Sequence, residues 1–378
     1  MTQEFARAAA PRTAGGARSL AREYYVGEEI FARERERIFL RSWLYAGHVS
    51  EVAEPGAYFL FELDDESVIV LHDRASEGGG AVRAFANVCR HRGTVLCREA
   101  RGRLGGRIRC PYHSWSYELD GRLAHAPNME DVAGFDRGEH GLIPVPLHVW
   151  RGLIFVGLGQ AAPEVGERFA ELDPRVEAWR LPELEHSARR VYEVDANWKL
   201  FFQNYSECYH CPTAHPLLNR LTPYRNSASD LREGSILGGP MKMERSGGSM
   251  TMTGERCAAP IPGVAGGDLD LVYYYTLFPN LFLSLAPDYA LIHRIDPLAP
   301  RRTRVVCDWL FHPSARAEPG FDPAPAVDFW DLTNRQDWEL CATAQRGVAS
   351  HAYVPGPYAE IESEVAAFDR QYLAALAG

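Results

Sequence analysis

The chain has 378 residues, 46% hydrophobic and 11% aromatic, so it can bury a sizeable core across two domains and is no disordered protein. A net charge of −10 leaves it without the basic face that a nucleic-acid binder or a protein held on an anionic membrane needs. No run of about 18 apolar residues is present, so no segment reads as a membrane span.

Residues 1–18, MTQEFARAAAPRTAGGAR, are rich in Ala, Arg and Gly and lack the apolar stretch of a secretory signal. They read as a disordered tail, with an Arg-rich, acid-poor transit segment as the alternative. Residues 19–43 read as a charged helical segment anchored by Tyr25, Ile30, Phe31, Ile38, Phe39 and Leu40. From 44 to 160 the short runs YFLFEL, SVIVLH, AVRAFANV and GLIFVGL alternate with Gly, Asp and Pro clusters, which predicts a small antiparallel β domain. Asp120-Gly121, between SYEL and RLAH, is a two-residue hairpin signal.

Residues 161–378 change character. Phe169 to Trp179 reads as a helix, RRVYEVDANW as a strand and 198–211 as a helix. YYYTLFPNLFLSL, ALIHRIDPL and RTRVVCDWLF read as strands of a larger sheet. Residues 325–347 and 359–376 read as helices joined by a YVPGPY loop. The predicted class is α+β: a small antiparallel β domain ahead of a larger domain whose central antiparallel sheet is flanked by helices. Within GLGQAA, residues 157–162, a G-x-G-x-x-A match invites a dinucleotide reading. Pro163 and Glu164 follow it and no βαβ unit is evident, so it is set aside.

The eight cysteines, Cys89, Cys97, Cys110, Cys208, Cys211, Cys257, Cys307 and Cys341, are too sparse for a disulfide scaffold. Those beside histidines point to metal and a reducing cytosol. Cys89-Arg-His91 and Cys110-Pro-Tyr-His113 each set one thiolate and one imidazole on a tight loop. Two such loops can grip two irons asymmetrically, thiolates on one and imidazoles on the other, which raises the reduction potential above that of an all-Cys cluster. The competing reading is structural zinc, but zinc sites pair like ligands, C-x₂₋₄-C with H-x₃₋₅-H, and here each half mixes them. Cys97 fits neither half and reads as a buried thiol.

A second constellation lies in Asn204-Tyr-Ser-Glu207-Cys-Tyr-His210-Cys-Pro-Thr-Ala-His215. Two His and a carboxylate with open positions form the facial triad of non-haem Fe(II) oxygenases. Glu207 and His210 are three apart and would share a helix face. His210 and His215 are five apart and would diverge by about 140° on a straight helix, so the helix must end between them. Pro212 is the expected break. The carboxylate of the triad could be Glu207 or a residue far downstream.

NVCRHRGTVLC and CPYHSWSYELDGRL resemble the two ligand loops of Rieske domains in ring-hydroxylating and demethylating oxygenases, and the resemblance runs from about Tyr25 to Leu373. It implies a Rieske [2Fe–2S] domain at 44–160 and a catalytic mononuclear-iron domain at 161–378, with 19–43 packed on the latter. It implies a [2Fe–2S] cluster on Cys89, His91, Cys110 and His113. NRQDWELCATAQRGV looks like the family's helix that delivers the third iron ligand, which makes Asp337 the partner of His210 and His215 for Fe(II). Asp331 and Glu339 are the fallbacks. Glu207, with Asn204 beside it, then falls to catalysis as the acid connecting the two metal centres of neighbouring subunits, between His210 and the neighbour's His113. A head-to-tail homotrimer follows, in which each cluster faces the next subunit's iron. No ferredoxin-type cysteine spacing is present, so electrons would come from NAD(P)H through a separate flavin reductase or ferredoxin. The expected compartment is the cytoplasm.

ECYHCPTAHP and PNLFLSLAPDYALIHRIDPL are most similar to the branch with glycine-betaine, choline and carnitine oxygenases, which act on quaternary ammonium compounds. Phe201, Phe202, Tyr205, Tyr273, Tyr274, Tyr275, Phe278 and Tyr289 are available for an aromatic cage, although core packing explains most of them. The expected activity is hydroxylation or oxidative N-demethylation of a small organic substrate with O₂. The alternatives are hydroxylation of an aromatic acid or amide, and a non-enzymatic Rieske electron carrier, which would need the first constellation only.

Overall fold

The structure, a computed structural model, describes residues 16–73, 81–159 and 169–378. The expected N-terminal tail lies almost wholly outside the described residues, as does the end of the GLGQAA segment. The chain forms two compact units, Arg41–Pro163 and a second made of Met1–Leu40 with Glu164–Gly378.

The first unit holds β1 (Trp43–His48), β2 (Ala57–Leu63), β3 (Glu66–His72), β4 (Val82–Ala86), β5 (Arg101–Arg103), β6 (Arg107–Arg109), β7 (Ser116–Glu118), β8 (Leu123–His125), β9 (Leu147–Trp150) and β10 (Leu153–Gly157). They pair into three antiparallel sheets, β1-β10-β9, β4-β3-β2-β5 and β6-β7-β8. The central strand β3 carries the unbroken run Val68-Ile69-Val70-Leu71 and buries all four side chains. Asp120-Gly121 turns β7 into β8 as the hairpin signal predicts. The core gathers Tyr58, Ile69, Leu71 and Phe85 around Trp115 and Tyr117, and the thiols Cys89, Cys97 and Cys110 are buried among them.

The second unit is built on β11 (Glu185–Val194), β12 (Ile236–Lys242), β13 (Leu271–Leu277), β14 (Leu281–Leu285), β15 (Ala290–Ala299) and β16 (Arg302–Phe311), in the antiparallel order β11-β16-β15-β14-β13-β12. Strand β12 was not anticipated, because Gly238-Gly239-Pro240 reads as a breaker. At the sheet edge a proline is tolerated, and Pro240 pairs with Tyr273. Gly238 sits at φ +128°, and a Cβ there would meet the Tyr274 carbonyl oxygen at 2.0 Å, so the strand can approach its neighbour only without a side chain. The predicted helix from Phe169 to Trp179 shrinks to Asp173–Val176 and a 3₁₀ turn, Glu177–Trp179, ended by left-handed Arg180.

The helices Trp198–Tyr205, Ala324–Val348 and Ser363–Ala377 belong to this unit, as does the N-terminal helix Glu28–Arg37. Glu34 on that first helix is fully buried. It accepts hydrogen bonds from Lys199 Nζ at 2.5 Å, Trp198 Nε1 at 2.8 Å and Tyr372 Oη at 2.6 Å. Removing one partner of such a buried pair costs about 3–5 kcal/mol, so Glu34 fixes the start of the helix that leads into the second constellation. Among the described residues no helix is long and apolar enough to cross a membrane.

Candidate metal centres and active site

In the first unit the two ligand loops share one backbone design. Cys89 N–H donates to the Thr94 carbonyl at 2.8 Å, and Gly93 N–H returns to the Cys89 carbonyl at 3.0 Å. Cys110 N–H donates to the Trp115 carbonyl at 2.7 Å, and Ser114 N–H returns to the Cys110 carbonyl at 3.2 Å. The fourth residue after each cysteine is left-handed, Gly93 at φ +73° and Ser114 at φ +61°. Each loop thus curls back on its cysteine and throws its histidine outward. The outcome is asymmetric: Cys89 and Cys110 are buried, His91 is exposed and His113 half-buried.

The imidazoles of His91 and His113 lie edge to face at 4.7 Å between centroids, and His91 stacks on Trp115 at 4.8 Å. Asn87 anchors the first loop by accepting Leu96 N–H and Cys97 N–H and donating to the Cys97 carbonyl. Tyr117 Oη accepts Arg90 N–H and sits 3.3 Å from Cys89 Sγ, to which its proton can therefore be given. Burial raises the Cys89 thiol above its ordinary range, against the Tyr117 hydrogen bond, so a free thiolate is disfavoured there until a metal takes the charge. The donor set is two buried thiols and two outward imidazoles. It does not converge on a single point as a tetrahedral zinc site requires. Among the described residues, only His210, His215 and Asp337 bring three such donors within reach of one ion. The spread quartet fits a two-iron cluster.

In the second unit those three donor atoms lie within 4.8 Å of one another. The local route to this geometry differs from the one expected. The helix that begins at Trp198, capped by Asn197 accepting Lys199 N–H, ends at Tyr205, before Glu207. Glu207 and His210 therefore share a turn rather than a helix face. The Glu207 carboxylate folds that turn by accepting Tyr209 N–H and His210 N–H. Pro212 breaks nothing: it stands in the first turn of Cys211–Ala214, where a missing N–H costs no hydrogen bond. Pro216 opens the next helix, Pro216–Leu221, in the same way. His210 and His215 thus stand at the starts of two successive short helices, and their rings meet at 5.1 Å. Cys208 and Cys211 are joined in a disulfide across the same turn, which departs from the expectation that cysteines beside histidines point to metal and a reducing cytosol.

Asp337 comes from the long helix Ala324–Val348. Its buried face runs through Trp330, Asn334, Trp338, Cys341, Gln345 and Val348, a helical stripe that carries position 337 inward. The fallback ligands point elsewhere. Asp331 accepts Tyr192 Oη at 2.6 Å and Arg335 Nε at 2.7 Å, and Glu339 is exposed.

The hydrogen bonds set both imidazoles the same way. His210 Nδ1 is 2.6 Å from Glu207 Oε1, and His215 Nδ1 is 2.8 Å from Gln336 Oε1. With each Nδ1–H given away, each Nε2 faces the same oxygen, Asp337 Oδ1, at 3.3 Å and 2.8 Å. Outer partners that fix the tautomer and leave Nε2 to a metal are the mark of a ligating histidine. Burial lowers the His210 pKa, but hydrogen bonds to Asp337 and Glu207 outweigh it and hold the ring up to about 10. Burial likewise opposes charge on Asp337, yet the hydrogen bonds from His210 and His215 keep its carboxyl below the usual range. Two imidazoles packed against one carboxylate, the histidines raised by it and the carboxyl lowered by them, fit a cation in place of the shared protons.

The trio opens on a cavity of about 1000 Å³ whose wall includes Tyr205, Tyr224, Tyr274, Trp330, Trp338 and Glu364. Of the aromatics anticipated from sequence only Tyr205 and Tyr274 line it. Phe201, Phe202, Tyr275, Phe278 and Tyr289 are core, and Tyr273 is tied to Asp268. Asn204, Glu207 and His210 also line a second concavity of about 850 Å³. Glu207 therefore stands between two hollows of the same unit. Gln336, Trp330, Trp338 and Glu364 were not anticipated; the one available signal was that Gln336 and Trp338 flank Asp337.

Residues 181–378 match the model of the ring hydroxylating alpha subunit catalytic domain, and residues 42–136 match the Rieske [2Fe-2S] domain. The chain belongs to the Rieske-type ring-hydroxylating oxygenase alpha subunits. It is 34% identical over 375 residues to the glycine betaine monooxygenase oxygenase subunit of Chromohalobacter salexigens, covering 91% of this chain and 82% of that protein. It is 38% identical over 195 residues to the carnitine monooxygenase oxygenase subunit of Escherichia coli K12, about half of each chain (51% and 51%). Among solved structures, the quaternary ammonium Rieske monooxygenase CntA superposes with a TM-score of 0.81 at 26% identity over 95% of both chains. A naphthalene 1,2-dioxygenase from Rhodococcus shares the fold, with a TM-score of 0.76 at 21% identity over 95% of this chain and 94% of that one. The protein is an enzyme of the Rieske non-haem iron oxygenase type, with a [2Fe–2S] cluster and a mononuclear iron as its cofactors, and members of this family work with a separate reductase. The electron-carrier alternative is thereby set aside, since a carrier needs no second domain.

Proposed function

We propose that this oxygenase hydroxylates a C–H bond of a quaternary ammonium compound, one atom of O₂ entering the substrate and the other leaving as water with two electrons and two protons. The observation that carries this reading is the convergence of His210, His215 and Asp337 on the wall of a cavity lined by the aromatic residues Tyr205, Tyr224, Tyr274 and Trp330, a residue type that suits a cation. The glycine betaine monooxygenase relative, matched over most of the chain, supports it.

In this reading Cys89 and Cys110 hold one iron of the cluster, His91 and His113 the other, and His210, His215 and Asp337 hold Fe(II). The mononuclear iron, when bound, supplies open positions for O₂, and the cluster supplies electrons. The chain's own groups do the rest. Gln336 and Glu207 hold His215 and His210 in the tautomer that presents Nε2. The aromatic wall orients the substrate and excludes water. Residues 44–160 are assigned as the electron-delivering domain, and 161–378 with 19–43 as the catalytic one. The assembly is a head-to-tail homotrimer in the cytoplasm. There the neighbouring subunit's His113 meets Glu207 from the second concavity, and Asn204 beside it helps hold the contact. Reducing equivalents come from NAD(P)H through a flavin reductase.

The test is turnover with a surrogate reductase and ¹⁸O₂ against betaines, carnitine, choline and aromatic acids. Product bearing one labelled oxygen from a quaternary ammonium compound is expected. Turnover of aromatic acids alone sinks the reading.

A further inference from the structure

The charges around the cavity say more about the substrate than its aromatic wall does. Among the described residues that line it there is no lysine and no arginine, while three carboxylates are present, Glu207, Asp337 and Glu364. Two of these are engaged. Glu207 is held by His210, and Asp337 by His210 and His215. Glu364, at the start of the helix Ser363–Ala377, is not in an ion pair; its hydrogen-bond partner is Ser229, which also lines the cavity. Arg232 and Asp230 act on it from farther off with opposite sign.

We propose that Glu364 is the specificity-determining residue that receives the substrate's cationic nitrogen, and that the preferred substrate is a quaternary ammonium compound whose other end is an uncharged hydroxyl rather than a carboxylate. This rests on the reading of the protein as a quaternary ammonium oxygenase and narrows it.

Two arguments carry the narrowing. A cation entering the cavity gives Glu364 the charged partner it lacks, and the aromatic residues Tyr205, Tyr274 and Trp330 line the same cavity. Burial pushes the Glu364 carboxyl up to about 7, so as a bare anion it is under strain that a bound cation relieves. A substrate carboxylate has the reverse experience. Placed beside Glu364 and away from the iron site, it would be stripped of water with no lysine or arginine among the described lining residues to meet it, and a buried charge without a partner is strongly disfavoured. What the wall does offer the far end is uncharged. Ser206 Oγ, Tyr274 Oη and Trp338 Nε1 are buried without partners, and so is His293 Nδ1. His293 Nε2 faces Asn334 Oδ1 at 3.2 Å, and the Asn334 amide nitrogen is turned to Cys307 Sγ at 3.5 Å. That chain makes Nε2 the protonated nitrogen and Nδ1 an acceptor. Donors and an acceptor together suit a hydroxyl.

The test is equilibrium binding by calorimetry to the iron-loaded oxygenase, followed by kcat and KM with a surrogate reductase. The probes are choline, glycine betaine, and 3,3-dimethyl-1-butanol, the neutral carbon isostere of choline. We expect choline to bind at least about ten-fold more tightly than either of the others. In Glu364→Gln the choline advantage over the isostere should fall to about two-fold or less, while binding of the isostere itself is unchanged and KM for choline rises more than kcat falls. Glycine betaine binding as well as or better than choline overturns the inference and leaves the quaternary ammonium reading standing. Equal weakening of choline and the isostere in Glu364→Gln shows a merely structural residue and also overturns it. Failure of every ammonium compound to bind, with an aromatic acid binding instead, overturns the broader reading. Should Glu364→Gln not fold, the wild-type ranking of choline over glycine betaine decides by itself.

Discussion

The two proposed metal centres are built by opposite means. The Cys89–His113 site is local: two short loops with the same backbone hydrogen bonds and the same left-handed position curl on their own cysteines, and the ligands fall within one stretch of chain. The His210–Asp337 site is assembled at a distance. Two imidazoles at the starts of short helices meet a carboxylate from the inward stripe of a long helix far downstream. The first presents its imidazoles to the outside, whereas the second keeps His215 and Asp337 inside and opens on a cavity. A centre that must hand on electrons gains from exposed ligands. A centre that must bind substrate beside O₂ gains from a walled pocket.

The sharpest way to break this comparison is to remove one centre and leave the other. Asp337→Ala deletes the oxygen that both Nε2 atoms face, so the mononuclear iron should be lost and turnover should fall below detection. The cluster loops lie in the other unit and the visible spectrum should stay that of the wild type. Iron analysis beside the spectrum checks both, and full activity in the variant would falsify the assignment of Asp337.

The same contrast explains what could be read from the sequence. The cluster loops were legible because their chemistry is contiguous: spacing alone pairs Cys89 with His91 and Cys110 with His113. For the second site the histidines were legible but their local structure was not. Pro212 was expected to end a helix, whereas it starts one, because the chain had already left the helix at Tyr205. Asp337 was proposed from family resemblance, and the buried stripe of its helix favours it over Asp331 and Glu339 on physical grounds. The cavity wall was the least legible part. Trp330 and Glu364 arrive from separate helices, and strand β12 was hidden by Gly238-Gly239-Pro240, so no window of sequence contains the pocket.

A smaller effect separates ligands from the groups that aim them. Gln336→Leu removes the acceptor of His215 Nδ1–H while leaving all three donors in place. Iron affinity should drop by about 10- to 100-fold, measured by competition with a chelator, and excess Fe(II) should restore much of the activity. No change in affinity would mean that His215 is oriented by packing alone.

Glu207→Gln tests the group that faces both hollows. The amide keeps the size and a hydrogen bond but removes the charge that His210 faces. Iron content and reduction of the cluster should remain near wild type, and substrate oxidation should slow by about ten-fold in single turnovers of pre-reduced protein. Loss of the mononuclear iron instead would make Glu207 a ligand and displace Asp337 from that role.

The gentlest probe returns to the cluster and to the sign of its hydrogen bonds. At the proposed mononuclear site the Glu207 carboxylate accepts a hydrogen bond from His210 Nδ1–H, which increases the basicity of that imidazole as a ligand. At the cluster the direction is reversed: Tyr117 Oη accepts Arg90 N–H and is left to donate to Cys89 Sγ at 3.3 Å. A donor on a thiolate stabilises the reduced, more negative cluster more than the oxidised one, so it raises the potential. Tyr117→Phe deletes that donor and keeps the ring, which is buried in the core of the domain. One hydrogen bond of about 1 kcal/mol corresponds to roughly 40 mV for a one-electron couple, so the potential should move a few tens of mV in the negative direction. The electron spin resonance signal should persist, because no ligand is touched. A redox titration followed by that signal reads the shift directly. An unchanged or more positive potential would mean that the Tyr117 hydroxyl does not donate to the cluster sulfur, and that the opposite signs of hydrogen bonding at the two centres are not what divides electron delivery from oxygen chemistry.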